Sequence, residues 1–226
     1  MRLSRPGRVD IGAVLRDLRG RGLNYDPAEV GPRDWIFDVH RRSLGHEGAG
    51  PPEEGGLWQR SREVVAEYGF TPPETVRAYY ERGSALLGRD VLLEARLPGL
   101  RFLMGVRVTS VRDESNADRT LWGWGYETLQ GHLERGRVDY ELVKDHRSGE
   151  VGFTARSHSQ LHPRAPWWMR FGWRLVGRRT QLGFYRRAGE LLARKGSVVE
   201  VPSGGARRLG VIVLDPVVGR PGERSG

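Results

Sequence analysis

The spacing of hydrophobic residues divides the chain into a helical N-terminal part and a strand-rich centre. Apolar positions recur at helical intervals over residues 11–18 and again over residues 57–68. The prolines at positions 72–73 then favour a further helix that runs through Tyr80, because the first turn of a helix accommodates proline. The pattern predicts short helices ahead of a sheet, and residues 45–56 have the composition of an exposed loop, on which no chemistry is predicted.

From Asp90 onward the apolar period changes to two, which indicates β-strands with one buried face. Alternating segments follow one another at residues 102–108, 121–126, 138–142 and 151–155. The sequence Arg147-Ser148-Gly149 between the last two is typical of a hairpin turn. Strands that succeed one another without intervening helices favour an antiparallel meander, so the pattern predicts an α+β fold.

One of the predicted strands carries bulky side chains on one face and almost none on the other. Trp122, Trp124 and Tyr126 alternate with Gly123 and Gly125. Glycine inside a strand commonly marks a place where another group approaches the backbone closely. We therefore expect a neighbouring group to pack against this glycine track.

The apolar period returns to 3.6 in the last third of the chain, which predicts a long amphipathic helix from Trp167 to about Lys195. A later apolar run, Leu209 to Leu214, predicts an additional edge strand. The predicted organisation is an N-terminal appendage at residues 1–20, a folded domain at residues 21–200 and a C-terminal tail at residues 201–226.

The chain of 226 residues carries a formal net charge of +9 at pH 7, and Lys144 and Lys195 are its only lysines. The rest of the positive charge is arginine, so two explanations stay open: compositional drift in a GC-rich genome, or a site for a polyanion. The arginines of the predicted C-terminal helix present the same choice, since they can bind phosphates or form a solvated helix face. We do not expect nucleic acid as the partner.

Cysteine is absent, which excludes disulfides, thiolate metal sites and cysteine nucleophiles. The apolar runs fall far short of the roughly 20 residues that a bilayer-spanning helix needs. The arginine-rich N-terminus also lacks the unbroken apolar core of a secretion signal. We therefore expect a cytoplasmic protein without a transmembrane segment.

The segment from Trp122 to Gly136, WGWGYETLQGHLERG, resembles the signature FAYGTLPGHxExGE of a bacterial and plant family that has no established reaction. Further segments match in the same order: residues 23–31 resemble its LTYxEVG segment, residues 153–159 its FxxRAFSRP strand, and residues 171–184 its LGYPLVRRLQRRF helix. The resemblance spans residues 21–190. It implies a helix-grip fold similar to the Bet v 1 and START-like proteins, in which a curved antiparallel β-sheet is wrapped around a long C-terminal α-helix.

The chain departs from this family signature at several positions. Glu127 stands where the family has Gly, and Gln130 stands where it has Pro. Arg137 replaces a Glu, and His158 replaces a Phe. The chain resembles a divergent member, whose site can differ from that of the family.

His132 and Glu134 lie on a predicted glycine-bounded turn and are the candidate catalytic residues. They can act as general acid and base or as two metal ligands. The alternative is that both hydrogen-bond to the loop backbone, as polar turn residues usually do. His158 and His162 form a second histidine group, but no metal-binding spacing accompanies it, so we expect no metal.

No motif for a serine nucleophile or a nucleotide cofactor is present in the sequence. The GxSxG elbow and the P-loop are both missing. Gly123 and Gly125 lack the third glycine that would open a helix in a dinucleotide-binding fingerprint. We therefore expect no cofactor.

The aromatic side chains of the sheet and the C-terminal helix can line a cavity or pack together as a core. The leading prediction is a module that binds a small apolar or amphipathic molecule between sheet and helix. Its predicted ligand-binding residues are Trp122, Trp124, Tyr126, Thr128, His132 and Phe171. An enzyme that uses His132 and Glu134 in the same pocket is the alternative, and an arginine-rich binder of nucleic acid or another anion is the third. The sequence predicts neither the ligand nor the oligomeric state.

Overall fold

A nine-stranded β-sheet organises the chain in the computed structural model, which describes residues 2–4, 9–72, 76–97, 100–162, 187, 189–194 and 211–215. The strands are β1 (Arg2–Ser4), β2 (Ile36–His46), β3 (Val76–Glu81), β4 (Asp90–Leu97), β5 (Leu100–Ser115), β6 (Arg119–Thr128), β7 (Glu134–Asp145), β8 (Glu150–Leu161) and β9 (Val211–Leu214). The helices α1 (Ile11–Asp17) and α2 (Leu57–Ala66) precede β3, and short 3₁₀ turns lie at Leu18–Gly20 and Pro27–Glu29.

The centre of the sheet is an antiparallel meander in which β4 to β8 each pair with the next strand along the chain. The strand order is β2, β8, β7, β6, β5, β4, β3 and β9, and β1 pairs with β5 beside this path. The strand β9 pairs in parallel with β3 and lies within the run predicted as an edge strand. The predicted α+β class and the meander are therefore confirmed.

The hairpin between β7 and β8 forms at the predicted turn. One carboxylate oxygen of Asp145 accepts hydrogen bonds from the main-chain nitrogens of Arg147 and Ser148, at 3.1 and 2.7 Å. Gly149 has a φ of 74°, a left-handed conformation that glycine adopts without steric cost. The polar turn sequence thus fixes the connection that brings the two strands together.

The helices predicted at residues 11–18 and 57–68 are present as α1 and α2, and they cover different faces of the sheet. Asp10 caps α1, since its carboxylate accepts from the main-chain nitrogen of Ala13 at 3.0 Å. Leu18, just after α1, is fully buried against β5, where a Cβ atom at Gly105 would overlap its side chain. No helix in the described ranges is long and apolar enough to cross a membrane.

The predicted helix from residue 72 through Tyr80 is wrong, because Val76–Glu81 form the strand β3. Ala78 and Tyr80 lie in the main core, whereas Tyr79 packs in a second cluster under α1, so both faces of the strand are buried. The main chain of β3 pairs with β4 on one side and with β9 on the other. These long-range contacts outweigh the helix-start signal of the two prolines.

The strand β2 was not predicted from the sequence, because its interior-facing positions are largely polar. Asp38, His40 and Arg42 lie opposite Ser157, Ala155 and Phe153 of β8 in the register of the pair. A strand with polar residues on its inner face lacks the alternation that marks a half-buried strand. Its position became evident only from the pairing with β8.

The predicted helix from Trp167 to Lys195 lies mostly outside the described residues. Within the described part, residues 187 and 189–194 are helical, and Leu192 is fully buried in the same core as Trp124 and Tyr140. A helical segment therefore packs on the sheet, as a helix-grip arrangement requires. The length of the helix and the domain limits at residues 20 and 200 stay predictions.

The two faces of the sheet differ in chemistry. The interior face carries Trp124, Tyr140 and Phe153 and is covered by α2 and by residues 189–194. The outer face carries charged side chains on β5 to β8, and α1 covers it near β3, β4 and β5. The site residues can be placed relative to these two faces.

Candidate functional site

The predicted aromatic site residues lie on the interior face and pack against one another. Trp122, Trp124 and Tyr126 are each at most 8% exposed. The ring centroids of Trp124 and Tyr140 are 5.2 Å apart, and the indole nitrogen of Trp124 donates to the main-chain oxygen of Val65 at 3.0 Å. The same cluster includes Tyr68, Phe70 and Phe153. These rings fill the middle of the interior face as core.

Thr128 lies at the end of β6 and holds the connection between β6 and β7. Its hydroxyl donates to the side-chain oxygen of Asn24 at 2.6 Å and accepts from the main-chain nitrogen of Gly136 at 2.9 Å. The amide nitrogen of Asn24 in turn donates to the main-chain oxygen of Glu134 at 2.8 Å. The polar atoms of Thr128 are therefore engaged in shaping the loop.

His132 is buried and bonded to the backbone of the same connection. Its Nδ1 atom lies 3.0 Å from the main-chain nitrogen and 2.9 Å from the main-chain oxygen of Glu134. Either tautomer therefore makes a hydrogen bond to the backbone. Burial lowers the pKa of His132 to about 4, so the ring is neutral at neutral pH. For His132, this geometry agrees with the alternative in which the side chain hydrogen-bonds to the loop backbone.

The carboxyl group of Glu134, unlike the imidazole of His132, lies on the interior face of the sheet. Alternation along β7 places Glu134 on the same side as Val138 and Tyr140, which pack in the main core. The carboxyl group of Glu134 forms a hydrogen bond with the side chain of Ser159. Burial is the main cause of the raised pKa of the Tyr126 hydroxyl, and the charge of Glu134 raises that pKa further. The side chains of His132 and Glu134 thus do not act on one another, and only the main chain of Glu134 contacts the imidazole.

Burial raises the pKa of Glu134 to about 8. The bond from Ser159 opposes this rise, and the nearby charge of Asp38 adds to it. A carboxyl group with this pKa is largely protonated at neutral pH. It can then donate a hydrogen bond, which an ionised glutamate cannot do.

A group of small and polar residues surrounds this carboxyl group, and we call Asp38, Glu134, Ser157 and Ser159 the polar end of the interior face. Ser159 lies opposite Ile36, and Ser157 lies opposite Asp38, in the pairing of β2 with β8. The Ser157 hydroxyl oxygen is buried and has no hydrogen-bond partner in the part of the chain that the structure describes. Such a group is one that a bound molecule can satisfy.

Sequence reasoning found Glu134 but missed the other three members of the polar end. Ser157 and Ser159 continue the alternation of Phe153 and Ala155, so the period of β8 could have placed them on the interior face. Asp38 depended on β2, which the pattern does not predict. Phe171, the remaining predicted ligand-binding residue, lies outside the described residues.

The glycine track of β6 packs against charged side chains of β7 on the outer face. A Cβ atom at Gly125 would overlap the carboxylate of Asp139, which pairs with Arg137 at 2.6 Å. The neighbouring groove of about 500 Å³ also contains Glu141, which pairs with Arg112 at 2.6 Å and Arg156 at 3.0 Å. The expected close neighbour is therefore an ion-pair network, and its arginines are bonded to carboxylates.

Two departures from the family signature contact each other on this outer face. The carboxylate of Glu127 lies 3.8 Å from the guanidinium of Arg137 and accepts from the hydroxyl of Tyr25 at 2.7 Å. The ring of His158, a third departure, lies 5.7 Å from Trp35 and 6.3 Å from Tyr25. The substitutions thus form one local cluster, on the face opposite Glu134.

The loop at residues 45–56, on which no chemistry was predicted, contains one half of a buried ion pair. The ammonium of Lys144 is fully buried and lies 2.6 Å from the carboxylate of Glu47 and 2.9 Å from the main-chain oxygen of Pro51. Glu47 also accepts from the main-chain nitrogen of Trp58 at 2.7 Å. These contacts fasten the loop and the start of α2 to β7. No group of three or more His, Asp or Glu side chains within the described ranges is placed to hold a metal ion.

Comparisons with known proteins give one family and a set of similar folds. The family described as "Domain of unknown function (DUF1990)" matches residues 22–191. A hypothetical protein of Helicobacter pylori is similar, with 9% identity and a TM-score of 0.47 over 77% of this chain and 96% of its own. The major latex-like protein 151 of Panax ginseng has 10% identity and a TM-score of 0.46, over 73% of this chain and 99% of its own.

A further similar structure is norcoclaurine synthase from Thalictrum flavum, solved in complex with dopamine and hydroxybenzaldehyde. It has 8% identity and a TM-score of 0.43, over 86% of this chain and 95% of its own. Among curated proteins, none matches the chain.

Proposed function

The chain belongs to the family described as "Domain of unknown function (DUF1990)", and we propose that it binds a small amphipathic molecule at the polar end of the interior face. The observation that carries this proposal is the carboxyl group of Glu134, which lies on the interior face with a pKa raised to about 8 by burial. Titratable groups whose pKa values are strongly perturbed cluster at functional sites.

The shape of the interior face changes where the polar end begins. Tyr126 and Tyr140 are large and buried, whereas the interior positions between these rings and the polar end are smaller. They are Val138 and Gly136 on β7 and Ala155, Ser157 and Ser159 on β8. A step from large rings to smaller side chains suits a flat apolar group that packs beside the tyrosines.

The polar groups at this end determine the chemistry of the ligand. A protonated Glu134 donates a hydrogen bond, so it favours a neutral ligand with an acceptor oxygen or nitrogen over an anion. The buried hydroxyl of Ser157 can take a second hydrogen bond, which would remove the cost of about 1–3 kcal/mol of leaving that group unsatisfied. The proposed ligand is therefore a neutral molecule with an apolar body and at least one polar atom.

A fluorescent probe of this chemistry tests the proposal directly. N-phenyl-1-naphthylamine is neutral and amphipathic, and its fluorescence rises in apolar sites. We expect saturable binding to the wild-type protein at pH 6. Ser157→Val fills the small space and removes a hydroxyl, so it should weaken the binding about tenfold or more, because tenfold corresponds to about 1.4 kcal/mol.

Thr154→Val is the matched control for this experiment. Thr154 lies on the same strand but faces the outer side, opposite Arg41. Its variant should bind the probe like the wild type. An unchanged affinity in Ser157→Val, or an equal loss in both variants, would contradict binding at the polar end.

Acid–base catalysis by Glu134 in the same place is a second candidate function. Its raised pKa favours this role, since a carboxylic acid that keeps its proton near neutral pH can deliver it to a substrate. The test is to identify a co-purifying small molecule by mass spectrometry and to follow its conversion. Glu134→Gln should lower turnover about 100-fold or more. Unchanged turnover in this variant would exclude the role, whereas His132→Gln reports on the loop alone.

A further inference from the structure

The guanidinium of Arg89 lies on the interior face, away from the polar end. It lies over the ring of Tyr80, 4.4 Å from the ring centroid, and Tyr80 packs in the main core. Arg89 directly precedes β4, and its main-chain oxygen accepts from the main-chain nitrogen of Val108 on β5 at 2.9 Å. The cation is thus held at the β4 and β5 side of this face, whereas strands β2, β7 and β8 build the polar end.

This cation lacks the partner that a half-buried charge usually has. Its Nη2 atom donates to the main-chain oxygen of Ser84 at 2.7 Å, but no carboxylate among the described residues forms an ion pair with it. Its Nε atom is buried and has no hydrogen-bond partner there. Burial lowers the pKa of the Arg89 guanidinium, yet an arginine stays charged in proteins. The charge is therefore partly desolvated without compensation, and a bound anion would offset that cost.

A second buried polar group adjoins Arg89 in the sheet. Thr109 directly follows Val108, at an irregularity in the pairing of β5 with β6. Its hydroxyl oxygen is buried and also has no hydrogen-bond partner in the part of the chain that the structure describes. Bulges are over-represented beside functional sites, where they re-aim a side chain. Two neighbouring parts of the sheet therefore contribute one unsatisfied donor each to the same region.

Apolar surface lies beside these two donors. Val111 is opposite the core residue Trp124 in the pairing of β5 with β6, so it belongs to the interior face, and it is 39% exposed. The interior face is therefore open to solvent on this side of the sheet. A molecule that enters here meets an apolar side chain and a cation together.

We propose that Arg89 and Thr109 bind the carboxylate of a small organic anion, whose apolar body packs on Val111. The planar guanidinium matches a carboxylate in geometry and charge, and the hydroxyl of Thr109 can donate to the same group. The polar end has the opposite preference, because a protonated Glu134 favours a neutral ligand. This second site is separate from the proposed function and does not depend on it.

Two fluorescent probes that share one apolar body test the site. The anionic probe 8-anilino-1-naphthalenesulfonate has the body of N-phenyl-1-naphthylamine with a sulfonate added, and the sulfonate stands in for the carboxylate. We expect saturable binding of the anionic probe to the full wild-type chain. Arg89→Gln removes the charge and the Nε donor, so it should raise the dissociation constant of this probe about tenfold or more. The same variant should bind the neutral probe like the wild type.

Arg82→Gln is the matched control, because it removes the same charge nearby. Arg82 lies in the connection between β3 and β4, and its side chain is 64% exposed. This variant and Ser157→Val should both bind the anionic probe like the wild type. Unchanged affinity in Arg89→Gln, or an equal loss in Arg82→Gln, overturns the proposal. A loss in Ser157→Val as large as that in Arg89→Gln would assign the anionic probe to the polar end and would overturn it as well.

Thr109→Val keeps the test decisive if Arg89→Gln disturbs the fold, which circular dichroism and the neutral probe report. Valine has nearly the shape of threonine, so this variant removes the hydroxyl alone. It should raise the dissociation constant of the anionic probe about threefold or more. Laurate, a carboxylate with an apolar chain, should displace the anionic probe, whereas inorganic phosphate at the same concentration should not. Unchanged binding in Thr109→Val, or a probe that laurate fails to displace, contradicts the site.

Discussion

Replacing Glu134 with glutamine should remove a pH dependence of stability that the wild-type protein shows above about pH 5. Burial raises the pKa of Glu134 to about 8 in the folded protein, and an unfolded chain has an ordinary glutamate with a pKa of about 4.3. Between these values the folded protein keeps a proton that the unfolded chain has released. The free energy of unfolding must then fall as the pH rises through this window.

The size of this effect follows from the pKa difference. One isolated group would contribute about 1.4 kcal/mol for each pH unit within the window. Glu134 is only partly buried, so solvent screening reduces this figure. We expect the wild-type protein to lose about 1–2 kcal/mol of stability between pH 6 and pH 8 through this residue alone.

Urea unfolding at pH 6 and at pH 8 measures the difference. Glutamine has nearly the same shape as protonated glutamate and stays neutral, so Glu134→Gln should gain stability relative to the wild type as the pH rises. Glu54→Gln is the matched control, because Glu54 is exposed in the loop at residues 45–56. The reasoning is refuted if the stability difference between Glu134→Gln and the wild type is the same at both pH values.

The buried ion pair and the glycine track give two further predictions, both measured by urea unfolding. Glu47→Ala should destabilise the protein by about 3–5 kcal/mol, because it leaves the buried ammonium of Lys144 without its carboxylate; a loss below about 1 kcal/mol would show that the pair is not buried. Gly123→Ala should cost about 1–3 kcal/mol, because the added Cβ would overlap the main-chain oxygen of Tyr140. At Gly152 the nearest atom to an added Cβ is 3.9 Å away, so Gly152→Ala should change stability by less than about 1 kcal/mol, and equal effects at both glycines would contradict the packing of the track.

Local sequence patterns predicted those parts of the fold in which one face is apolar and the other polar. The strands β5 to β8 have this alternation, and the polar turn at Arg147 joins two of them. The strand β3 is buried on both faces, so its period is ambiguous and the prolines before it misled the prediction. The strand β2 carries polar residues inside, and only its pairing with β8 defines it.

The candidate site was predicted only in part, because local sequence patterns do not show which side chains meet across strands. Glu134 was selected together with His132, but the strand geometry separates the Glu134 carboxyl group from the imidazole and brings it to Ser159 instead. Asp38 reaches it from β2, which is distant in sequence, and Ser159 reaches it from the far end of β8. The pairing of Glu47 with Lys144 spans 97 residues of the chain, and no local pattern indicates such a contact.

The most direct test of ligand binding is native mass spectrometry of the protein isolated from its natural host. The native and denatured masses of the wild type should differ by one small neutral molecule, and the fraction of protein that carries it should be lower in Ser157→Val and unchanged in Thr154→Val. A wild-type protein that carries no small molecule, or a bound fraction that Ser157→Val leaves unchanged, would contradict binding at the polar end of the interior face.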